Sequence, residues 1–254
     1  MSDEIRQRFR DLHRDGLFVM PNPWDIGSAK LLASLGFTAL ATTSSGHAAS
    51  LGRPDRHVTL DELVEHATAL AQAIDVPLNV DAEYCFAEDT AGIADTVERL
   101  ADTGAAGFSL EDFNPIAKRI DPIGRATERV GAAAAAARRH GLVLTARAEN
   151  HICGIQDLDD TIRRLVAYRD AGADVLYAPG LTAIDDIERV ASAVGIPVNV
   201  LLLAKGPSIA ELVMAGVRRV STGGALARAA YGGLRQAATE LFESASIVGR
   251  VPKP

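Results

Sequence analysis

The stretch DTGAAGFSLED (residues 102–112) decides how the chain is read. Its Gly104 follows a segment of helical apolar spacing and suits the left-handed residue that ends a helix. The apolar run behind it closes on two acids, Glu111 and Asp112. The phrase returns as SLGFTAL (34–40) and DAGADVLY (170–177), and more loosely as MAGVRRVS (214–221). Each occurrence hands a helix over to a strand. The intervals between them vary, which marks turn chemistry repeated once per βα unit rather than a solenoid repeat.

Working outward from that phrase, eight short apolar runs can be counted: 17–20, 38–42, 77–81, 107–112, 142–149, 174–179, 197–203 and 218–223. They are nearly continuous in hydrophobicity, as parallel strands covered on both faces are. Between and after them lie helix candidates at 25–35, 59–74, 90–103, 124–140, 157–171, 184–194, 207–215 and 224–244. The fourth contains GAAAAAARRHG, good helix-forming sequence with basic residues before a terminal glycine. Eight βα units in 254 residues predict a (β/α)8 barrel as a single domain, 1–254.

Hydrophobic residues at 48% and charged residues at 23% exclude a disordered chain. A net charge of −7 argues against nucleic acid as a partner. Two cysteines, Cys85 and Cys153, make no disulfide framework. With a charged N-terminus and no long apolar run, neither a signal peptide nor a membrane span is expected, and the cytoplasm is the expected compartment.

In such a barrel the chemistry sits where strands end. The third run ends in Asp81-Ala-Glu83 and the fourth in Glu111-Asp112. Residues two apart in a strand face the same way, so Asp81 and Glu83 are expected to converge with Glu111. Gathered carboxylates repel one another unless a hard cation neutralises them, which points to Mg²⁺ or Mn²⁺. Arg147 and Glu149 share a face of the fifth run, where the arginine could grip a carboxylate or phosphoryl group or pair internally with the acids. Thr42, Thr43 and Ser44 offer hydroxyls and amides to an oxyanion, and Asn199 is an amide in an apolar strand that either bonds its neighbours or reaches the site. Asn22-Pro23-Trp24-Asp25 reads as a turn with a helix cap at Asp25, and His47 and His151 as supporting residues.

Taken in order, NPWDIGSAKLLASLGFTALATTSSGHAASLGRPD, PLNVDAEY, GFSLEDFNP, LTARAE, GADVLYAPG and PVNVLLL resemble the phosphoenolpyruvate mutase/isocitrate lyase superfamily over about residues 18–235. The resemblance implies a Mg²⁺-dependent barrel that cleaves or rearranges C–C or P–C bonds of 2-oxo or 2-hydroxy acids through an enolate. It implies that Asp81 binds the metal directly and that Asp55, Glu83 and Glu111 hold it through water. Arg147 then matches the arginine for the substrate's acidic group, and the segment of Thr42, Thr43 and Ser44 the loop for its 2-oxo-carboxylate end. A dimer or tetramer is implied, with exchange of a C-terminal helix, either absent here or involving 224–244.

The sequence also departs from that pattern. The segment EDFNPIAKRIDPIG (111–124) lacks the cysteine that isocitrate-type lyases use as proton donor, and its Asn114, Lys118 and Arg119 are not at mutase spacing. Ala178-Pro179-Gly180 stands where a polar contact is common, and Glu83 is one methylene longer than the usual aspartate. These residues favour a lyase with a small demand on acid–base groups, of oxaloacetate decarboxylase or 2-methylisocitrate lyase type, with 113–124 as a lid. A P–C mutase or hydrolase, and a barrel that binds carboxylates without turnover, stay open as alternatives.

Overall fold

The protein is described by a computed structural model covering residues 2–247. Eight parallel strands form the barrel: β1 (Phe18–Met20), β2 (Leu40–Ala41), β3 (Leu78–Asp81), β4 (Gly107–Glu111), β7 (Val143–Arg147), β8 (Val175–Tyr177), β9 (Val198–Leu201) and β10 (Arg219–Ser221). Two further strands, β5 (Phe113–Asn114) and β6 (Arg119–Ile120), make a small antiparallel hairpin. The sheet runs β1-β10-β9-β8-β7-β4-β3-β2. The seam between β1 and β2 is bridged where the Ala41 N–H donates to the Pro21 carbonyl at 3.1 Å. The architecture is the expected (β/α)8 barrel.

Around it stand α2 (Ile26–Ser34), α4 (Leu60–Ala73), α5 (Thr90–Asp102), α6 (Ile123–His140), α7 (Leu158–Asp170), α8 (Ile184–Val194), α9 (Ile209–Met214) and α10 (Ala225–Ile247). Their limits follow local chemistry. Asp25 and Thr59 close capping boxes at the starts of α2 and α4, and Gly141 ends α6 at φ 66°. The alanine-rich face of α6 (Ala126, Ala133, Ala134, Ala137) is buried, and these small side chains let it lie close against α5.

Two helices lie outside the expected set. α1 (Ser2–Asp11) closes the N-terminal end of the barrel: Phe9 is buried with Phe18 and Met20, and Arg6 donates to the carbonyls of Ala101, Ala105 and His140. α3 (Ser44–Ser50) turns the expected hydroxyl loop into a short helix capped by Thr43, whose side chain accepts from the Gly46 N–H.

The pleat sorts each strand. Val80, Phe108, Leu110, Leu144, Leu176, Val198 and Val220 face the helices and form the main core. The alternate residues face the barrel interior, where Asp81 lies beside Ser109, Glu111 beside Arg147, Arg147 beside Tyr177, and Tyr177 beside Asn199. α10 stands away from the barrel with Leu234 and Leu241 exposed. No helix among the described residues is long and apolar enough to cross a membrane. The tail 248–254 lies outside the described residues.

Candidate active site

At the C-terminal mouth of the barrel lies a cavity of about 160 Å³, lined among others by Thr42, Thr43, Ser44, Asp55, Asp81, Arg147, Tyr177 and Asn199. Arg147 is its charged centre. One terminal nitrogen, Nη1, lies 2.8 Å from Asp81 Oδ1; the other, Nη2, lies 3.1 Å from Glu111 Oε2; and Nε donates to Glu149 Oε1 at 2.9 Å. Burial opposes its charge, but Glu149, Glu111 and Asp81 outweigh that and raise its pKa further. Arg147 therefore both pairs internally and faces the cavity.

Asp81 ends β3 and accepts from the Ser44 N–H at 3.2 Å and the Ser109 hydroxyl at 3.2 Å. This ties α3 to the acid cluster. Glu111 is buried, and its other oxygen takes Arg56 Nη2 at 2.9 Å. Burial first, then Glu149, pushes its carboxyl well above the usual range, while Arg147 and Arg56 pull it back. Glu149 is raised in the same way by burial, and its Oε2 has no hydrogen-bond partner.

Glu83 reaches this cluster by a route different from the expected alternation. β3 stops at Asp81, and Glu83 sits at φ 48°, in a left-handed turn that ends strand pairing. Its buried carboxylate has no hydrogen-bond or ion-pair partner among the described residues. Burial, then the charges of Asp81, Glu111 and Asp55, pushes it up to about 8. Asp55, in the exposed turn after α3, accepts the Arg56 N–H at 3.0 Å.

Among the described residues no three His, Cys, Asp or Glu side chains stand as a ready-made metal cage. Arg147 and Arg56 lie between the acids instead. The donor set is nevertheless that of a hard cation: Asp55, Asp81, Glu83 and Glu111 offer only oxygen, and Glu83, unpartnered by either arginine, holds its proton until a cation displaces it.

Several lining residues escaped the sequence reading. Tyr177 is buried, which pushes its phenol up to about 12, so it keeps its proton and can donate a hydrogen bond. Asn79, Ser109 and Arg219 line the lower part of the cavity. Asn199 lines the cavity, donates to Ser221 Oγ at 2.9 Å and accepts from Arg219 Nε at 2.9 Å. The rule that singled out Asn199, a polar residue in an apolar run, applies equally to Asn79.

His47 of α3 and His66 of α4 stack with ring centroids 3.7 Å apart and do not line the cavity. Asp112 is also structural: it accepts from the Glu149 N–H, the Tyr168 hydroxyl and Arg164.

A family model described as phosphoenolpyruvate phosphomutase matches residues 9–242. The chain belongs to that family. Its members form part of the superfamily with isocitrate lyase, to which the motifs around Asp81, Glu111 and Arg147 had pointed. Similar to this family member are a candidate lyase/mutase from Burkholderia cenocepacia, 48% identical with a TM-score of 0.91 over 94% of this chain and 88% of that one. An uncharacterized protein of Mycobacterium tuberculosis is 37% identical over 218 residues, 85% of this chain and 81% of its own. An oxaloacetate decarboxylase from Paraburkholderia xenovorans is 31% identical over 226 residues, 85% of this chain and 74% of its own.

Proposed function

We propose that this protein is a Mg²⁺- or Mn²⁺-dependent lyase that breaks a C–C bond of a 2-oxo or 2-hydroxy di- or tricarboxylic acid and releases pyruvate or an analogue. The observation that carries this reading is the convergence of Asp81, Glu111 and Glu149 on Arg147 beside a small cavity at the barrel mouth. Similarity to an oxaloacetate decarboxylase supports the choice of C–C chemistry.

Asp81, with Glu83, Glu111 and Asp55, would hold the cation. When bound, it supplies Lewis-acid charge for the substrate's oxygens. The rest falls to side chains. Of the five N–H donors of Arg147, three are engaged by acids, which leaves donors for a substrate carboxylate. In a 2-oxo acid, loss of the far carboxylate as CO2 leaves the C–C electron pair on the retained fragment, delocalised toward the 2-oxygen as an enolate. In a 2-hydroxy acid the hydroxyl proton passes to a carboxylate of the cluster, the 2-oxygen becomes the carbonyl of the 2-oxo product, and the electron pair leaves with the other fragment, delocalised into its carboxylate. Positive charge held rigidly at Arg147 favours that developing charge, because the acids fix the guanidinium before substrate arrives. Thr42, Thr43 and Ser44 border the same space and orient the carboxylate end. Tyr177 contributes a neutral donor. Solvent supplies the proton that completes the product.

The test is release of 2-oxo acid from oxaloacetate, 2-methylisocitrate, substituted malates and phosphonopyruvate, with Mg²⁺ and with EDTA. Metal-dependent release from a C–C substrate is expected. The family description itself favours one other reading, P–C cleavage, and turnover of phosphonopyruvate alone would replace the lyase with it. The exposed Leu234 and Leu241 of α10 support a homo-oligomer, dimer or tetramer, covered along that helix.

A further inference from the structure

Below the rung of Asp81 and Arg147, the barrel interior is polar where such barrels are filled by branched apolar side chains. Asn79 lies two residues before Asp81 on β3, and Thr145 two before Arg147 on β7. Across from them Arg219 projects from β10 and is almost wholly buried. Its guanidinium donates to Asn199 Oδ1 at 2.9 Å, Thr145 Oγ1 at 2.9 Å and His13 Nε2 at 3.3 Å. All three partners are uncharged acceptors, so among the described residues no carboxylate pairs with Arg219. Three of its five donors are used. Both Arg219 and Asn79 line the cavity that Asp81 and Arg147 share.

Asn79 is the second, independent sign. It is 3% exposed, its Oδ1 is enclosed without a partner, and its amide nitrogen has no hydrogen bond among the described residues. A buried cation without counter-charge is costly unless something else satisfies it, and an anion would take both the free donors of Arg219 and the unbonded amide nitrogen of Asn79, though not its Oδ1. Tying α1 to the barrel through His13 explains one hydrogen bond of Arg219, but a neutral side chain would serve there. It explains nothing about Asn79.

We propose that Arg219, with Asn79, forms an anion subsite one rung below Asp81 that takes the second carboxylate of a short 2-oxo or 2-hydroxy dicarboxylic acid, making Arg219 a specificity-determining residue. The inference rests on the site reading above, in which one and the same carboxylate is held by Arg147 and oriented by Thr42, Thr43 and Ser44. Two residues of strand span roughly 6.5 Å, of the order of the reach between the two carboxylates of a four-carbon diacid. A cavity of about 160 Å³ suits a molecule of that size. The burial of Arg219, which pulls its pKa down to about 9, fits a cation that awaits its partner.

The test is calorimetric titration of the full chain at saturating Mg²⁺ with malate and with 2-hydroxybutyrate, acids of one length that differ in the second carboxylate. The wild type is expected to bind malate at least about tenfold more tightly, the worth of a charge-assisted hydrogen bond. Arg219→Met should erase that preference without lowering the melting temperature, which a merely structural arginine would not allow. Asn79→Leu provides a second reading should the first variant not fold: malate affinity falls, and 2-hydroxybutyrate affinity holds. Equal binding of both acids by the wild type, or a preference that survives Arg219→Met, overturns the subsite and leaves the site reading standing. No binding of either acid overturns both.

Discussion

Two arginines in one barrel interior, Arg147 on β7 and Arg219 on β10, show how differently the two sides of the cavity are built. Arg147 touches three carboxylates, which raise its pKa against the effect of burial. Arg219 touches an amide, a hydroxyl and an imidazole, and burial wins, lowering its pKa to about 9. The side formed by β3, β4 and β7 therefore gathers carboxyl groups around its arginine, while the side formed by β9 and β10 carries a cation with no carboxylate beside it among the described residues. A charge-separated cavity of this kind suits a ligand that brings both a cation and anionic groups. The cation would meet the acids, and an anionic group the lone arginine.

The largest expected break in that picture comes from the acid side. Asp81→Ala should lower kcat/KM about a thousandfold or more, with circular dichroism unchanged, because a strand-end acid adds little to the core. Full metal-dependent activity in this variant would place the site elsewhere. Stability should separate the arginines next. Arg147→Met leaves Glu111, Glu149 and Asp81 facing one another without that guanidinium, a loss expected at about 3–5 kcal/mol. Arg219→Met replaces an unpaired buried charge by apolar volume and should fall within about 1 kcal/mol of wild type, or above it. Urea melts of the two variants decide it, and equal losses would end the contrast.

Proton linkage sharpens the same comparison. Glu83, raised to about 8 by burial and its acidic neighbours, binds a proton in the folded chain that an unfolded glutamate near pKa ~4.3 releases. Stability from this group is complete below about pH 4 and is lost as pH rises through about 8. His13, held near 3 by burial and by Arg219, and His66, held near 3 by burial and by His47, act in the opposite sense. Their contribution is present above about pH 6.5 and is lost as pH falls toward 3. From about pH 6.5, where the histidines are neutral in both states, to about pH 8 the slope accordingly belongs to the acids, and above that it flattens. The melting temperature in EDTA should fall across that range, Glu83→Gln should flatten the fall, and Mg²⁺ should offset it. A flat profile in EDTA would mean that the acids are already compensated.

The fold was legible because turn glycines and apolar runs are local signals. Gly104, Gly172 and their counterparts each announce a strand without help from distant residues. The acids at strand ends were legible for the same reason. What escaped depends on distant partners or on breaks in regular structure. Glu83 was expected beside Asp81 and Glu111, and only its route escaped: a left-handed turn rather than strand alternation brings it there. Arg56 reaches Glu111 from 55 positions away. α1 looks like a charged surface segment until Phe9 is seen inside the barrel. Arg219 sits in RRVSTG, where the sequence alone does not say which arginine faces inward.

The smallest expected effect concerns the segment 113–124, expected from sequence to be a lid. It is built as the β5–β6 hairpin, pinned at its base. The Tyr84 hydroxyl donates to Asp121 Oδ2 at 2.5 Å and accepts from Asn114 Nδ2 at 3.1 Å, while Asn114 Oδ1 holds the N–H groups of Ile116 and Ala117. Asn114 and Asp121 are buried, whereas Ile116, Lys118 and Arg119 are exposed. Any closure must therefore bend the hairpin tip about this fixed base. Tyr84→Phe removes the shared hydroxyl and should cost about 1 kcal/mol locally. Its readout is faster tryptic cleavage at Lys118 and Arg119, with Mg²⁺ and oxalate restoring protection in the wild type. Cleavage that neither the substitution nor the ligands alter would make the hairpin a static rim of the acid side rather than its cover.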